Sequence, residues 1–327
     1  MTGDEIARHL GGAETSEYLD PLLADYPSRP AKALRPSLCL ATCEAFGGTA
    51  AKALPSAASL EMLHNAFLIH DDVEDASLLR RGKPTLHQIH GTPLAVNAGD
   101  AMALYALGVL RNNIDRLGPQ MAKRVMTEFD FMSRQTVAGQ ALELGWARDC
   151  RLDLTPDDYL DLVMKKTCWY TTVLPLRVGA LIGSGGRADL EPMIRCGFHL
   201  GAAFQIRDDI LNLVGTQDRY GKERFGDLRE GKRTLIIIHL LAAADPSDFA
   251  LIRGYLRRKA SERTSDEVKQ VFDLIIGYGS IGFAEEFARG VARSAGAEME
   301  IAFAGLPDSA SRRFLADLVP FMIERDF

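Results

Sequence analysis

The sequence predicts an all-α fold in which a single domain of long helices spans residues 1–327. Apolar residues recur with helical spacing along most of the chain, whereas strict alternation of apolar and polar residues is scarce. The composition, 47% hydrophobic and 25% charged residues, is typical of a soluble globular protein and excludes a disordered chain. No internal repeat, low-complexity tract or Pro/Ser-rich linker divides the sequence.

The individual helices follow from the same periodicity. Most segments are too apolar to have a solvent-exposed face, which predicts buried helices. Thr155 and Pro156 predict a helix start, because Thr is a favoured N-cap and Pro suits the first turn. Glycine-containing stretches at 47–48, 183–186 and 305–307 predict helix ends. The long helices are predicted at 56–70, 95–110, 121–144, 159–182, 190–214 and 234–244.

Charge and cysteine content exclude several classes of protein. The net charge is −6 and no basic stripe is visible, so we expect no nucleic-acid partner. The polar N-terminus is unlike a signal peptide, and the apolar runs at 101–110 and 235–244 are shorter than a membrane-spanning helix requires. The five cysteines form no CxxC pair, which indicates reduced thiols and predicts a cytoplasmic protein without an integral membrane segment.

An acidic cluster follows the predicted helix 56–70. Asp71 and Asp75 would lie one helical turn apart, with Asp72 beside them. Carboxylates at the C-terminal end of a helix oppose its dipole and repel one another, so a divalent cation would stabilise them. Mg²⁺ suits such a set because it accepts oxygen ligands and bridges to substrate phosphates. A solvated acidic surface is the alternative reading of the same residues.

A second pair of acids, Asp208 and Asp209, also follows an apolar helical segment. The two acidic clusters would face one another if their helices lined a common cavity. Lys and Arg residues surround both clusters, as expected for a substrate that carries several phosphates. These basic residues are Lys32, Arg35, Arg80, Arg81, Lys165, Lys166, Lys222, Arg229, Lys232 and Arg233.

Five sequence motifs together resemble those of the trans-isoprenyl diphosphate synthases, also called polyprenyl synthetases. The resemblance extends from about Lys32 to the final helix, and it implies an isoprenoid synthase bundle around a central cavity in a homodimer. The motifs are HDDVEDASLLRRGKPTLH (70–87), GQALEL (139–144), KKT (165–167), FQIRDDILN (204–212) and GKERFGDLREGKRTL (221–235).

The resemblance also implies roles for individual residues. Three Mg²⁺ ions would be bound by Asp71, Asp72, Asp75 and Asp208. The diphosphate of an allylic substrate would contact Arg80, Lys166, Thr167, Gln205, Lys222 and Lys232. The diphosphate of isopentenyl diphosphate would contact Lys32, Arg35, His64 and Arg81. The residues that promote the reaction itself would be Asp71, Asp72, Arg80, Lys166, Asp208 and Lys232.

In the reaction that the resemblance implies, diphosphate leaves the allylic carbon and the double bond of isopentenyl diphosphate attacks the resulting carbocation. The chain would grow into the space beside the helix that carries Asp71. Phe67 would lie one turn below Asp71 and form part of the cavity floor. Its small neighbour Ala66 would leave the floor half open, which favours a C20 product, with C15 next.

Two other functions stay open at this stage. A terpene cyclase on the same fold would carry an Asn-Ser/Thr-Glu metal motif, for which Asn212 and Thr216 are suitable but Tyr220 is not. A non-catalytic subunit of a prenyl synthase would usually have lost acids that this chain retains. The chain departs from the resembling family at Pro30–Pro36, where the usual glycines are missing, and at Asn212, where many members have Asp.

Overall fold

The computed structural model describes residues 1–10, 16–215 and 224–324. The predicted all-α class is confirmed, since helices form nearly all of the regular structure. The first ten helices are α1 (Thr2–Leu10), α2 (Asp20–Ser28), α3 (Leu34–Ala45), α4 (Ala50–Glu74), α5 (Leu86–His90), α6 (Thr92–Arg111), α7 (Asn113–Leu117), α8 (Pro119–Arg148), α9 (Pro156–Val163) and α10 (Leu174–Gly183). The later ones are α11 (Glu191–Val214), α12 (Gly226–Glu230), α13 (Leu235–Ala243), α14 (Pro246–Leu256), α15 (Ser265–Gly277), α16 (Ser280–Ala302) and α17 (Ala310–Glu324).

Two short strands, β1 (Leu79–Arg80) and β2 (Lys83–Pro84), form an antiparallel hairpin after α4. Its turn consists of Arg81 and Gly82, which both have positive φ values, 51° and 75°. Positive φ at both central residues matches the twist of a tight hairpin. The hairpin brings the arginines at 80 and 81 back towards the C-terminal end of α4.

The predicted helix 159–182 is not a continuous α-helix, which corrects the expectation from periodicity. It consists of α9, a π-helix over Met164–Val173 and α10. The capped start is confirmed, because Thr155 Oγ1 accepts from the Asp158 N–H while the Asp158 carboxylate accepts from the Thr155 N–H. A π-helix widens the turn and frequently occurs at functional sites.

The helices pack into a bundle around α4 and α11. α4 packs mainly against α6 and α3, whereas α11 packs against α16 and the π-helix. Both central helices are buried along much of their length, and each carries a pair of adjacent aspartates in its C-terminal half. The main hydrophobic core therefore surrounds these two helices, and their acidic ends meet at one side of the bundle.

The segment Thr92–Leu117 is long and apolar enough to cross a membrane by length and composition, with 39% of its most apolar window buried. The expectation that the chain has no membrane-spanning segment was based on continuous apolar runs alone, and that criterion misses this helix. Core helices of soluble proteins satisfy the same criterion, so length and composition alone are weak evidence for a membrane span.

Candidate active site

A cavity of about 570 Å³ lies between the C-terminal ends of α4 and α11. Its walls come mainly from α4, α8, α9, the π-helix and α11, with α12 and the turn that follows it. Acidic and basic side chains line it together with apolar side chains such as Phe67 and Leu162. The volume is that of a typical small-molecule site.

Asp71 and Asp72 at the end of α4 have different environments. Asp71 lines the cavity and receives hydrogen bonds from Arg80 Nη2 at 3.1 Å and Lys166 Nζ at 3.4 Å. Asp72 is buried, and both of its oxygens are bound by Arg80, with Tyr26 donating its hydroxyl to one of them. Asp72 therefore holds Arg80 in place, and the carboxylate that faces the cavity is that of Asp71.

Asp75 caps the C-terminal end of α4, where its backbone N–H donates to the Asp71 carbonyl. Its side chain lies 2.7 Å from Lys232 Nζ, which also contacts Glu230 at 2.7 Å and Asp227 at 3.7 Å. Burial raises the pKa of Asp75 to about 7, although Lys232 opposes the shift. The ammonium group of Lys232 thus forms ion pairs with three carboxylates, which come from two distant segments of the chain.

The second acidic cluster completes the opposite wall. Asp208 lines the cavity, while Asp209 is buried and accepts hydrogen bonds from Tyr159 at 2.7 Å and Gln205 at 2.8 Å. Burial and the nearby Asp227 raise the pKa of Asp209 to about 8. Gln205 also accepts from Thr167 at 3.0 Å, so two residues that the resemblance assigns to the allylic diphosphate contact each other.

Lys166 extends from the π-helix into the cavity and makes an ion pair with Glu143 of α8. Burial lowers the pKa of Lys166, but Glu143 and Asp71 outweigh that effect and raise it, so this side chain stays charged. Gln140, one turn before Glu143, donates to Glu74 at 2.6 Å and ties α8 to α4. The GQALEL motif therefore supports the KKT motif directly.

Basic residues also line the cavity. Among them are Arg35, His64 and Arg81, which the resemblance assigns to isopentenyl diphosphate. Arg35 donates to Thr171 at 2.9 Å and lies over the Tyr170 ring, 4.5 Å from its centroid, while His64 stacks on the same ring. Arg35 Nε and His64 Nδ1 are buried without a hydrogen-bond partner among the described residues. Such unsatisfied atoms are expected where a polar ligand binds.

Of the site residues that the resemblance implies, Lys32 is placed away from the cavity wall. Lys32 is exposed, and its Nζ lies 5.5 Å from the Phe321 ring rather than in the cavity wall. Lys222 falls outside the described residues. Asn212 is buried and accepts from the Asp227 N–H at 3.1 Å, so its amide holds the start of α12.

Ala66 and Phe67, the two residues proposed to control product length, differ in their position relative to the cavity. Phe67 lines the cavity and makes an edge contact with Tyr170, with ring centroids 5.7 Å apart. Ala66 is fully buried in the hydrophobic core and is not among the described residues that line the cavity. Only Phe67 can therefore act on bound substrate by direct contact.

Sequence reasoning missed the support of the hairpin by Arg29. This buried side chain donates to the carbonyls of Arg80 at 2.8 Å and Pro84 at 2.7 Å, and it is paired with Asp25. Its guanidinium also lies over the Tyr26 ring, 4.4 Å from the centroid. No motif marks Arg29, because the contact joins segments about fifty positions apart.

The donor set suits Mg²⁺ rather than a metal held by protein alone. Among the described ranges, no three Asp, Glu, His or Cys side chains converge on one point. Mg²⁺ is commonly bound by one or two carboxylates together with waters and substrate phosphates, and Asp71 and Asp208 supply such carboxylates from opposite walls.

Comparisons with known proteins agree with the fold. The polyprenyl synthetase family model matches residues 16–275. A short chain isoprenyl diphosphate synthase from Methanothermobacter thermautotrophicus is 32% identical over 295 residues, which cover 90% of this chain and 86% of the relative. A geranylfarnesyl diphosphate synthase from Aeropyrum pernix is 33% identical over 298 residues, which cover 90% of each chain.

A solved structure shows the same fold. It is a polyprenyl synthase from Caulobacter crescentus CB15, complexed with calcium and isoprenyl diphosphate, with a TM-score of 0.87 and 27% identity over 100% of this chain and 94% of that chain. The names of further relatives include both geranylgeranyl and farnesyl diphosphate synthases. The chain therefore belongs to the polyprenyl synthetase family and is a trans-prenyltransferase of the isoprenyl diphosphate synthase type.

Proposed function

We propose that the protein condenses isopentenyl diphosphate with allylic diphosphates in an Mg²⁺-dependent reaction and releases mainly a C20 prenyl diphosphate. The observation that carries this proposal is that acidic, basic and apolar side chains line one cavity. The charged side chains suit two diphosphates, and the apolar side chains suit a hydrocarbon chain. A carbocation formed there would be shielded from water.

The resemblance implies Asp72 as a metal ligand as well, but its carboxylate is buried and bound by Arg80 and Tyr26. We therefore assign the three Mg²⁺ ions to Asp71, Asp75 and Asp208 together with the substrate diphosphate. Bound Mg²⁺ supplies positive charge to the diphosphate leaving group. Asp72 contributes by orienting Arg80, whose guanidinium contacts both Asp72 and Asp71. Asp71 and Asp72 thus have different roles because their side chains lie in different environments.

The basic residues would bind the two substrates at separate places. Arg80, Lys166, Thr167, Gln205, Lys222 and Lys232 are assigned to the allylic diphosphate, which leaves during the reaction. Their charges and hydrogen bonds would stabilise the developing diphosphate, as in other sites with preorganised electrostatics. Lys32, Arg35, His64 and Arg81 are assigned to isopentenyl diphosphate, and the unsatisfied atoms of Arg35 and His64 support that assignment.

We propose a homodimer that forms through the outer face of α6. Leu94, Leu104, Tyr105 and Leu107 of this helix are exposed, Leu104 by 66%. A row of exposed apolar side chains on one long helix is typical of a protein interface. Leu104→Asp should therefore yield monomers in sedimentation experiments, whereas Ile276→Asp, at a 54% exposed position on α15, should not change the assembly.

The function is tested by incubating the protein with isopentenyl diphosphate and each of the C5, C10 and C15 allylic diphosphates, with and without Mg²⁺. Mass spectrometry should identify a C20 diphosphate, and excess EDTA should abolish its formation. Asp71→Asn should slow turnover by about 10²–10³-fold, since it removes charge at the leaving group. Asp130→Asn, an exposed carboxylate on α8, is the matched control.

Specific outcomes would contradict the proposal. Full activity of Asp71→Asn, or activity in excess EDTA, would exclude the metal assignment. Release of a cyclic hydrocarbon from an allylic diphosphate alone would instead identify a terpene cyclase. Activity only after addition of a second protein would identify a subunit of a larger synthase.

A further inference from the structure

The turn that carries Lys232 is held from outside the motif by two side chains. α12 ends at Glu230, and Gly231 follows with a φ of 74°. The N–H groups of Gly231 and Lys232 both donate to the Asp227 carbonyl at 2.9 Å. These bonds close the turn and direct Lys232 towards Asp75. They do not satisfy the later carbonyls of α12, which need other donors.

Arg263 supplies one of those donors. It follows the short 3₁₀ helix Ala260–Glu262, and its side chain is 8% exposed. Its guanidinium donates to the carbonyl of Arg229 next to the turn, and to the carbonyls of Leu256 at 3.3 Å and Arg258 at 2.8 Å. A positive charge at the C-terminal end of a helix also interacts favourably with the helix dipole.

Tyr255 of α14 reinforces the same contact. Its hydroxyl donates to the Leu228 carbonyl at 2.7 Å, and its ring packs against Arg263, with the guanidinium 5.0 Å from the centroid. Gly231 is pressed against this guanidinium, because an added Cβ would lie 2.5 Å from two of its nitrogens. The end of α14 and the turn after α12 are therefore fixed to each other.

Asp227 and Lys232 connect this turn to the cavity. Both line it, and both belong to the turn that Arg263 holds. We propose that Arg263 is a positioning residue, which sets Lys232 against Asp75 and the allylic diphosphate without contacting substrate. The part of this proposal that concerns the diphosphate rests on the proposed function, whereas the part that concerns the turn does not.

Hydrogen–deuterium exchange tests the turn without using activity. Arg263→Met keeps the length of the side chain and removes its hydrogen bonds. The amides of Gly231 and Lys232 should then exchange about tenfold faster or more, while those at the end of α4 stay as in the wild type. Arg258→Met is the matched control, because this exposed arginine follows the same helix and pairs with Glu267.

Kinetics with both substrates test the catalytic consequence. In Arg263→Met, the KM of the allylic diphosphate should rise about tenfold while the KM of isopentenyl diphosphate changes less than about twofold. Arg263→Lys should restore part of the loss. Tyr255→Phe, which removes only the hydroxyl, should shift both readouts less and in the same direction, and it replaces Arg263→Met if that variant does not fold.

The proposal would be overturned if the amides of Gly231 and Lys232 in Arg263→Met exchanged at the wild-type rate. The same result in Tyr255→Phe would overturn it if that variant takes the place of Arg263→Met. Equal increases in both KM values would overturn it as well, since a general loss of structure has no preference for one substrate. If the wild-type protein condenses no isoprenoid diphosphates, the proposed function fails, and the exchange result still decides whether Arg263 holds the turn.

Discussion

The backbone of Lys166 occupies the space that a side chain at Gly139 would need. A Cβ at Gly139 would lie 2.6 Å from Lys166 Cα and closer still to its backbone nitrogen. The absence of a side chain thus lets α8 touch the π-helix where Lys166 enters the cavity. This contact explains why a glycine accompanies Gln140 and Glu143 in the same motif.

Gly139→Ala is therefore expected to displace the π-helix and to reduce both stability and activity. Overpacking of this kind costs about 1–3 kcal/mol, measured as the free energy of unfolding in urea. Gly145→Ala is the control on the same helix, because nothing lies within 4 Å of its added Cβ. It should raise stability by about 0.5–1 kcal/mol, and an equal effect of the two variants would contradict this account.

The two diphosphate sites should separate by mutation. Arg81→Met should raise the KM of isopentenyl diphosphate by about tenfold or more, with a smaller effect on the allylic substrate. Lys166→Met should show the opposite bias. The comparison requires both KM values for each variant, and identical effects on both substrates would refute the assignment. Lys32→Met tests the exposed lysine. If Lys32 also binds isopentenyl diphosphate, this variant should raise the same KM as Arg81→Met does.

Phe67→Ala should lengthen the main product by at least one C5 unit. The substitution removes an aromatic side chain from the cavity wall without touching an assigned metal ligand. Turnover should therefore still depend on Mg²⁺, and mass spectrometry of the products gives the answer. An unchanged product distribution would place the floor elsewhere.

The structure changes the expectation for Ala66→Phe. The sequence alone suggests that a second aromatic residue would shorten the product. Because Ala66 is buried in the core, the larger side chain should instead destabilise the protein by about 1–3 kcal/mol. A lower thermal midpoint would support this, whereas a shorter product with unchanged stability would favour the original expectation.

His64 should make stability depend on pH in the absence of substrate and metal. Burial, together with Arg35 and Arg81, lowers the pKa of His64 well below its ordinary value. The unfolded chain binds this proton near pH 6.5, so the contribution of His64 to the free energy of unfolding should fall as pH falls below about 6.5, by up to about 1.4 kcal/mol per pH unit. The raised pKa values of Asp75 and Asp209 act in the opposite direction over the same range, so the test is the difference between the wild type and His64→Gln, which should lose the contribution of His64.

The fold class, the main helices and most of the charged residues that face the cavity could be predicted from the amino-acid sequence. Helical spacing shows which faces are apolar, and local motifs show where acids and cations follow a buried helix. For this reason Asp71, Asp208, Arg35 and Lys166 could be predicted, and all of them line one cavity. These properties depend on residues that are near one another in the chain.

The different roles of adjacent residues follow from tertiary packing and could not be predicted from the sequence. Asp71 and Asp72 are equivalent in a motif, but Tyr26 and Arg80 bind Asp72 and leave Asp71 to face the cavity. The supporting contacts of Arg29 and Arg263 likewise join distant segments through backbone carbonyls. A carbonyl acceptor carries no side-chain signature, so packing alone selects which arginine reaches which turn.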